Sequence, residues 1–349
     1  MGRILNSFNS IVNRNINSIF IVATAILTDW FTQLRFSMNV ANPYATCTLL
    51  LHDAAWRPFQ FRVLIPWSVK WLLGIKLPIP IFNSAYYLYI STEILFVFFL
   101  IVTFRYFLSF FFNNKIISTL LSLSLFYTLY FNFTYPALIT CFYPWDMPSI
   151  LFFTLGLILL YKKDWSKYYI LFIVATFNKE TACFLTFIYL FTAIGKTKPG
   201  KIAFHCFLQL VIWLAIKYFL YRLYAANPGP GLFEINNIDI NVSHLTRNVA
   251  WLLNLRNYPI VFFKSMGFIW VPTLLGYSLI KDEFIKRSLW VVFPFLGGMM
   301  FVANIYELRI YGEIIPLVLT AFLLITREFF RKYLSGSLNY LYASLIKNA

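Results

Sequence analysis

Ten apolar stretches, separated by charged residues or by Gly and Pro, constrain this chain more than any other feature. They fall at about residues 11–28, 85–112, 116–133, 148–161, 168–177, 181–194, 202–224, 259–280, 288–305 and 314–326. A bilayer core about 30 Å thick takes a helix of roughly 20 residues. Ten such helices would absorb most of the 60% of the 349 residues that are apolar. Charged residues make up only 12%, about half the share of a soluble domain, too little to cover a particle in water. The chain therefore reads as an all-α polytopic integral membrane protein of about ten spans, with the lipid bilayer as its first partner. A soluble enzyme, a disordered tail and a coiled coil are excluded, and four cysteines make no disulfide framework. The net charge of +16 follows membrane topology, and no nucleic-acid partner is expected.

Between Lys167 and Lys196 the apolar run is interrupted at Asn178-Lys179-Glu180. It is either one span with a buried Lys–Glu or two shorter helices meeting at a break. The positive-inside bias chooses between them. Two helices place fifteen Lys and Arg in cytoplasmic segments and nine outside, whereas one span gives nine inside and fourteen outside. The broken pair is preferred, with both termini cytoplasmic, and the membrane is the plasma (inner) membrane if the source is bacterial. Of the acids, Asp164, Asp282, Glu283 and Glu328 then fall inside, and the others face outward or lie within the membrane. Ala23-Thr24-Ala25 has the small residues of a cleavage site, but Asp29 and Trp30 suit a retained span that ends at the outer boundary.

The first outer loop, residues 31–83, is expected to form two interfacial helices over 45–56 and 61–75, joined at Arg57-Pro58 and anchored by Trp56, Trp67 and Trp71. The second, 225–256, opens with Asn227-Pro228-Gly229-Pro230-Gly231 and reads as a loop, one that would cover a site from above. Two glycosylation sequons start at Asn132 and Asn241. Cys47 and Cys141 share the outer side. The loops divide the chain into a module over 1–222 and a C-terminal module over 223–349.

Lys179 and Glu180 are the strongest candidate site residues, because ionisable groups at a break inside an apolar stretch mark functional cavities or structural ion pairs. Lys217, Arg222 and Lys264 fall in outer halves of their spans, where the positive-inside bias gives no reason for them. With Lys179, Arg309, Arg57 and Arg62 they could form a cationic rim that receives an anionic lipid, although each alone reads as a snorkelling residue. Asp146 with Pro148 reads first as a helix start, and also as an acceptor- or metal-binding group. Glu93, mid-depth in the second span, is expected to pair with Lys264 or Lys217. Glu307, Arg309 and Glu313 form an acidic-basic-acidic set that is either an i, i+4 salt bridge or a sugar- or phosphate-binding group. Asp29 at the end of the first span is either a solvated helix end or a general base on a hydroxyl. His52, His205 and His244 are scattered, with no zinc spacing.

Asp29 just beyond the first span, Asn42-Pro43-Tyr44, two interfacial helices, Tyr143-Pro144-Trp145-Asp146 and Asn178-Lys179-Glu180-Thr181-Ala182 together resemble the GT-C superfamily. Glu307-Leu308-Arg309 followed by Glu313 and Pro316 is similar to a pattern in its bacterial members. The resemblance covers nearly the whole chain. It implies a glycosyltransferase that moves a sugar from a polyprenyl-phosphate donor to a glycan, lipid or protein acceptor at the extracytoplasmic face. It also implies Asp29 as the catalytic acid, with no adjacent second acid, since Asp53 is the next. Substrate-binding residues would be Lys179, Glu180, Asp146, Arg57, Arg62, Lys217, Arg222, Glu307 and Arg309. No metal ligand is assigned, and a divalent cation is the one cofactor left open. Two rivals stand beside this reading: a lipid or solute transporter or flippase, and a non-catalytic subunit of an envelope-polysaccharide complex.

Overall fold

The computed structural model describes residues 2–76, 78–135, 140–254 and 263–334. Arg256 and the start of the span expected at 259 lie outside the described residues. Most of the described residues are helical, and among them six helices are long and apolar enough to cross a membrane: Asn15–Met38, Ala85–Leu108, Lys115–Phe133, Pro199–Leu223, Glu283–Val302 and Leu308–Tyr333. The ten apolar stretches do not become ten full-length helices among the described residues.

The first helix, α1 (Gly2–Met38), does not end at Asp29 as expected. It continues nine residues, about 14 Å at 1.5 Å per residue, and so carries Arg35 into the protein. Its buried face is a stripe of Thr24, Thr28, Phe31, Thr32 and Arg35, the i, i+4, i+7, i+11 pattern of one helix side. Beyond it, β1 (Val40–Ala41) pairs in parallel with β2 (Cys141–Phe142), tying the first loop to the segment before the seventh helix.

The first interfacial helix shrinks to α2 (Cys47–Leu51), capped by the Thr46 hydroxyl and stopped before Asp53, which has φ 58°. The second starts at Leu64 instead of 61 and forms α3 (Leu64–Ile75), with Trp67 and Trp71 facing outward. Both follow from the local chemistry: Pro58 and the short Phe59–Phe61 turn prevent one helix from running into the other.

Four helices follow: α4 (Ala85–Leu108), which packs on α5 (Lys115–Leu123), then α6 (Leu125–Phe133), which packs on the 308–314 turn, and α7 (Asp146–Lys162). The α7 helix is buried nearly all round and packs on α4 and on α8 (Trp165–Asn178). A helix apolar on every side has no solvent face to show, so α7 becomes the centre of the bundle. After the break come α9 (Phe184–Ala193) and α10 (Pro199–Leu223). The loop beyond α10 crosses the first loop at Gly229, where φ is +111° and a Cβ would sit 2.4 Å from the Arg57 carbonyl oxygen. Only glycine fits there.

The C-terminal part holds α11 (His244–Leu253), α12 (Trp270–Leu275), α13 (Glu283–Ser288), α14 (Val292–Val302) and α15 (Ile315–Phe329). One apolar cluster runs from Phe20 through Leu157 and Ile188 to Ile325, so the two expected modules share a core. All four cysteines are free, Cys47 and Cys141 included.

Candidate functional site

The helix break is real and lies beside the loops over 31–83 and 225–256. α8 ends at Asn178, Lys179 is extended at φ −161° and ψ 137°, and a short 3-10 turn over Glu180–Cys183 leads into α9. Asn178 holds the break in place by donating to the Trp145 carbonyl (3.0 Å) and the Ser149 hydroxyl (2.9 Å) of α7.

A buried ionic network runs beneath it. Arg35 donates to Glu93, to Asp146 Oδ2 (2.9 Å) and to the Tyr143 carbonyl (3.2 Å). Lys179 pairs with Glu313 at 2.7 Å, and the Thr181 hydroxyl donates to the same carboxylate at 2.6 Å. Asp146 Oδ1 lies 3.9 Å from both Lys179 Nζ and Arg309 Nη1. Arg309 in turn pairs with Glu307 at 2.7 Å. Charges this deep persist only when each meets an opposite charge and hydrogen-bond partners. Here α1, α4, α7, the break and the 308–314 turn are all fastened by that requirement.

Above the network opens a cavity of about 540 Å³. Its walls carry four cations, Arg62, Lys179, Arg247 and Arg309, and four carboxylates, Glu180, Glu234, Asp239 and Glu307. Two guanidiniums lie over aromatic rings. Arg309 lies 4.2 Å over Tyr143, and Arg62 lies 4.7 Å over Trp145, with those two rings themselves stacked at 4.7 Å. Cation–π contact of this kind helps hold a guanidinium, whose planar fork can bind phosphate oxygens two at a time. Arg62 also holds Glu180, at 2.6 and 3.3 Å. Burial raises the Tyr143 phenol well above its usual range, and the Arg309 charge counteracts this only in part, so the ring stays neutral. Asp239 accepts from the Tyr44 phenol at 2.9 Å, and that hydrogen bond raises the Tyr44 titration too.

The sequence-derived residues divide cleanly. Lys179, Glu180, Arg62, Glu307 and Arg309 line the cavity, and Asp146 sits directly under it. Lys217 lies behind the wall with its ammonium 4.8 Å over Phe61 and 5.3 Å over Phe233, without a hydrogen bond. Asp29 is not brought in: it is exposed on α1 and accepts only from Gln33, at 2.6 Å. Arg57 fastens the second loop by donating to the Gly229 carbonyl at 3.2 Å, and Arg222 is exposed away from the cavity. Lys264 binds the Tyr135 hydroxyl at 2.8 Å. Glu93 pairs with Arg35, not with Lys264 or Lys217. The Arg309–Glu313 pair does not form either. Residues 308–314 are a 3-10 turn, which sends Arg309 to Glu307 and Glu313 to Lys179.

Arg35, Glu234, Arg247 and Asn304 belong to no sequence motif, and His244 reads there only as one of three scattered histidines. The threonine stripe of α1 was the available signal for Arg35. The other four meet across loops, where no periodicity points to them. Among the described residues, no group of three or more His, Cys, Asp or Glu is arranged to hold a metal ion.

Compared with known proteins, the chain matches no family model, and no curated protein or solved structure is similar to it. What the fold and site define is an all-α membrane protein with a charged cavity at one end of its helices.

Proposed function

We propose that this chain is an integral-membrane glycosyltransferase that moves a sugar from a polyprenyl-phosphate donor to a hydroxyl on a glycan, lipid or protein acceptor. The observation that carries the reading is the pairing in one cavity of aromatic-backed guanidiniums with carboxylates. Arg62, Arg309 and Lys179 suit a phosphate, and Glu180, Glu234, Asp239 and Glu307 suit the hydroxyls of a sugar. A cavity of about 540 Å³ lies within the usual range for a small ligand.

The lipid part of the donor has support of its own. A second, almost wholly apolar cavity of about 450 Å³ shares the 308–314 turn with the first. Ile310 faces the charged cavity, while Tyr311 and Ile314 face the apolar one. An amphiphile could place its phosphate on one side of that turn and its chain on the other. As the bond from the anomeric carbon to the phosphate oxygen breaks, negative charge grows on the leaving phosphate, where fixed cations lower the barrier. Asp29 has no part in this step, and the proton acceptor is one of the carboxylates of the cavity wall.

The test is turnover of polyprenyl-phosphate sugars by the purified chain, with release of polyprenyl phosphate as the readout. Binding of polyprenyl phosphate that Arg309→Ala weakens, together with sugar release, supports the reading. Movement of the intact donor across vesicles without release would favour the transporter instead.

A further inference from the structure

Resting on the transferase reading, we propose that Arg247 binds a negative charge on the acceptor, so that the attacking hydroxyl belongs to a molecule bearing a carboxylate or a phosphate. The charge balance of the cavity points there. Arg62 is paired with Glu180, Lys179 with Glu313 and Arg309 with Glu307. Arg247 is the remaining cation of the wall, and no carboxylate of the described residues forms an ion pair with it. Its guanidinium makes one hydrogen bond among the described residues, to Asn304 Oδ1 at 3.4 Å, an oxygen that His244 Nδ1 also faces at 3.2 Å. A guanidinium carries several N–H groups in a rigid fork, so most of this one is left for a ligand.

The backbone beneath the fork is fixed. Ser243 caps α11 by accepting from Thr246 N, and Arg247 follows in the first turn. The next residue, Asn248, is fully buried and donates to the Met300 and Ala303 carbonyls at 3.0 and 2.7 Å. Ile305 N donates back to its Oδ1 at 3.2 Å. That grip ties α11 to the end of α14, and the Arg247 guanidinium lies 5.3 Å over the Tyr306 ring. A site held in shape before its ligand arrives loses less entropy on binding.

Depth separates this cation from the others. Arg309 and Lys179 are buried, whereas Arg247 is only half-buried. The deep pair, beside the 308–314 turn, suits the leaving phosphate of the donor, and the fork nearer the surface is left for the acceptor. Asn304 joins the two levels, since its Nδ2 donates to Glu307 Oε1 at 2.7 Å and Glu307 holds Arg309. The other charges of this wall are Glu234, 3.3 Å from His244 Nε2, and Asp239, bound to the Tyr44 phenol. They repel an anion that misses the fork and suit the hydroxyls around one that meets it. A neutral acceptor would cover Arg247 and strip its water without replacing it, which is costly for a charged donor.

Titration of the full-length chain in detergent tests this, with the deep site first saturated by polyprenyl phosphate. Glucose, glucuronic acid and glucose 6-phosphate share one ring and differ in the charge on its exocyclic carbon. The wild type should bind one of the charged sugars about tenfold or more tighter than glucose, the size of one charge-assisted hydrogen bond. Which of the two it prefers tells a carboxylate from a phosphate. Arg247→Gln, which keeps an amide to donate to Asn304, should erase the preference. Arg247→Lys should keep part of it, and Arg222→Gln, at the exposed end of α10, all of it. Equal affinity for the three sugars in the wild type, or a preference that survives in Arg247→Gln, overturns the proposal. A wild-type chain that binds no polyprenyl phosphate would end the transferase reading instead, while the same titration on the ligand-free chain still decides Arg247.

Discussion

Arg35 and Asp146, separated by 111 residues in the chain, meet 2.9 Å apart with both side chains sealed from solvent. The same guanidinium also holds Glu93, so one cation from α1 neutralises carboxylates on α4 and α7. This contact fixes the floor of the cavity, because Asp146 in turn faces Lys179 and Arg309. Removing the cation leaves two buried carboxylates with less compensation. Breaking a buried pair from one side costs about 3–5 kcal/mol. Arg35→Leu should therefore lower the thermal midpoint of the detergent-solubilised protein sharply, and Arg35→Lys should recover part of the loss. An Arg35→Leu protein that melts with the wild type would remove the network from any structural role.

Asp29 gives the opposite expectation. It is exposed and touches only Gln33, and surface changes of this kind stay within about 0.5 kcal/mol. Asp29→Ala should keep both the melting temperature and the rate of sugar release. A large loss of turnover in that variant, with the fold intact, would return the general base to α1 and count against the cavity described above.

The contrast between these two residues explains what could be read from the sequence. Helix existence was legible because apolar runs of this length have few alternatives, and the break at Lys179 was legible because it interrupts one. Arg35 was not, since a charge after an apolar run reads as the end of a span. In fact the helix continues, and six residues at about 100° each turn Arg35 roughly a third of a circle away from Asp29. That rotation sends one inward and leaves the other outside. The partner of Glu93 was misassigned for a related reason: it lies 58 residues away on another helix, and pairing across helices has no sequence period. The Arg309–Glu313 expectation failed because it assumed 3.6 residues per turn where the chain forms a 3-10 turn. The place of Arg247 depends on Asn248 gripping the end of another helix, which no pattern in either segment announces.

Asn132 starts a sequon, yet it is fully buried in α6. Its side chain donates to the Leu308 carbonyl at 2.7 Å and accepts from Met266 N at 2.6 Å. It joins α6 to two loop segments and is closed to a glycosylating enzyme once folded. Expression in a eukaryotic secretory host should leave Asn132 unmodified. Asn132→Ala should destabilise the protein, since each buried group left without a partner costs about 1–3 kcal/mol. Mass spectrometry and a melting curve check the two halves of this statement. A glycan on Asn132 of the folded protein would contradict the packing of α6 against the 308–314 turn.

Arg309 and Arg222 allow the cavity to be tested against the cationic rim expected from sequence. Arg309 lies over Tyr143, lines the cavity and has one guanidinium nitrogen, Nε, without a hydrogen-bond partner. Arg222 is exposed at the end of α10 and lines no part of it. A charge-assisted hydrogen bond is worth about 1.5–3 kcal/mol, and about 1.4 kcal/mol is tenfold in affinity. Arg309→Ala should therefore weaken polyprenyl-phosphate binding by about ten- to a hundredfold, measured by titration in detergent. Arg222→Ala should leave it unchanged at moderate salt, where an exposed charge this far from the ligand is screened. Because Arg309→Ala also strips Glu307 of its partner, Arg309→Lys is the necessary companion. It keeps the charge but not the planar fork, and should bind between the two. Equal losses in Arg309→Ala and Arg222→Ala would show that the ligand responds to overall charge, and would move the anion site out of the cavity.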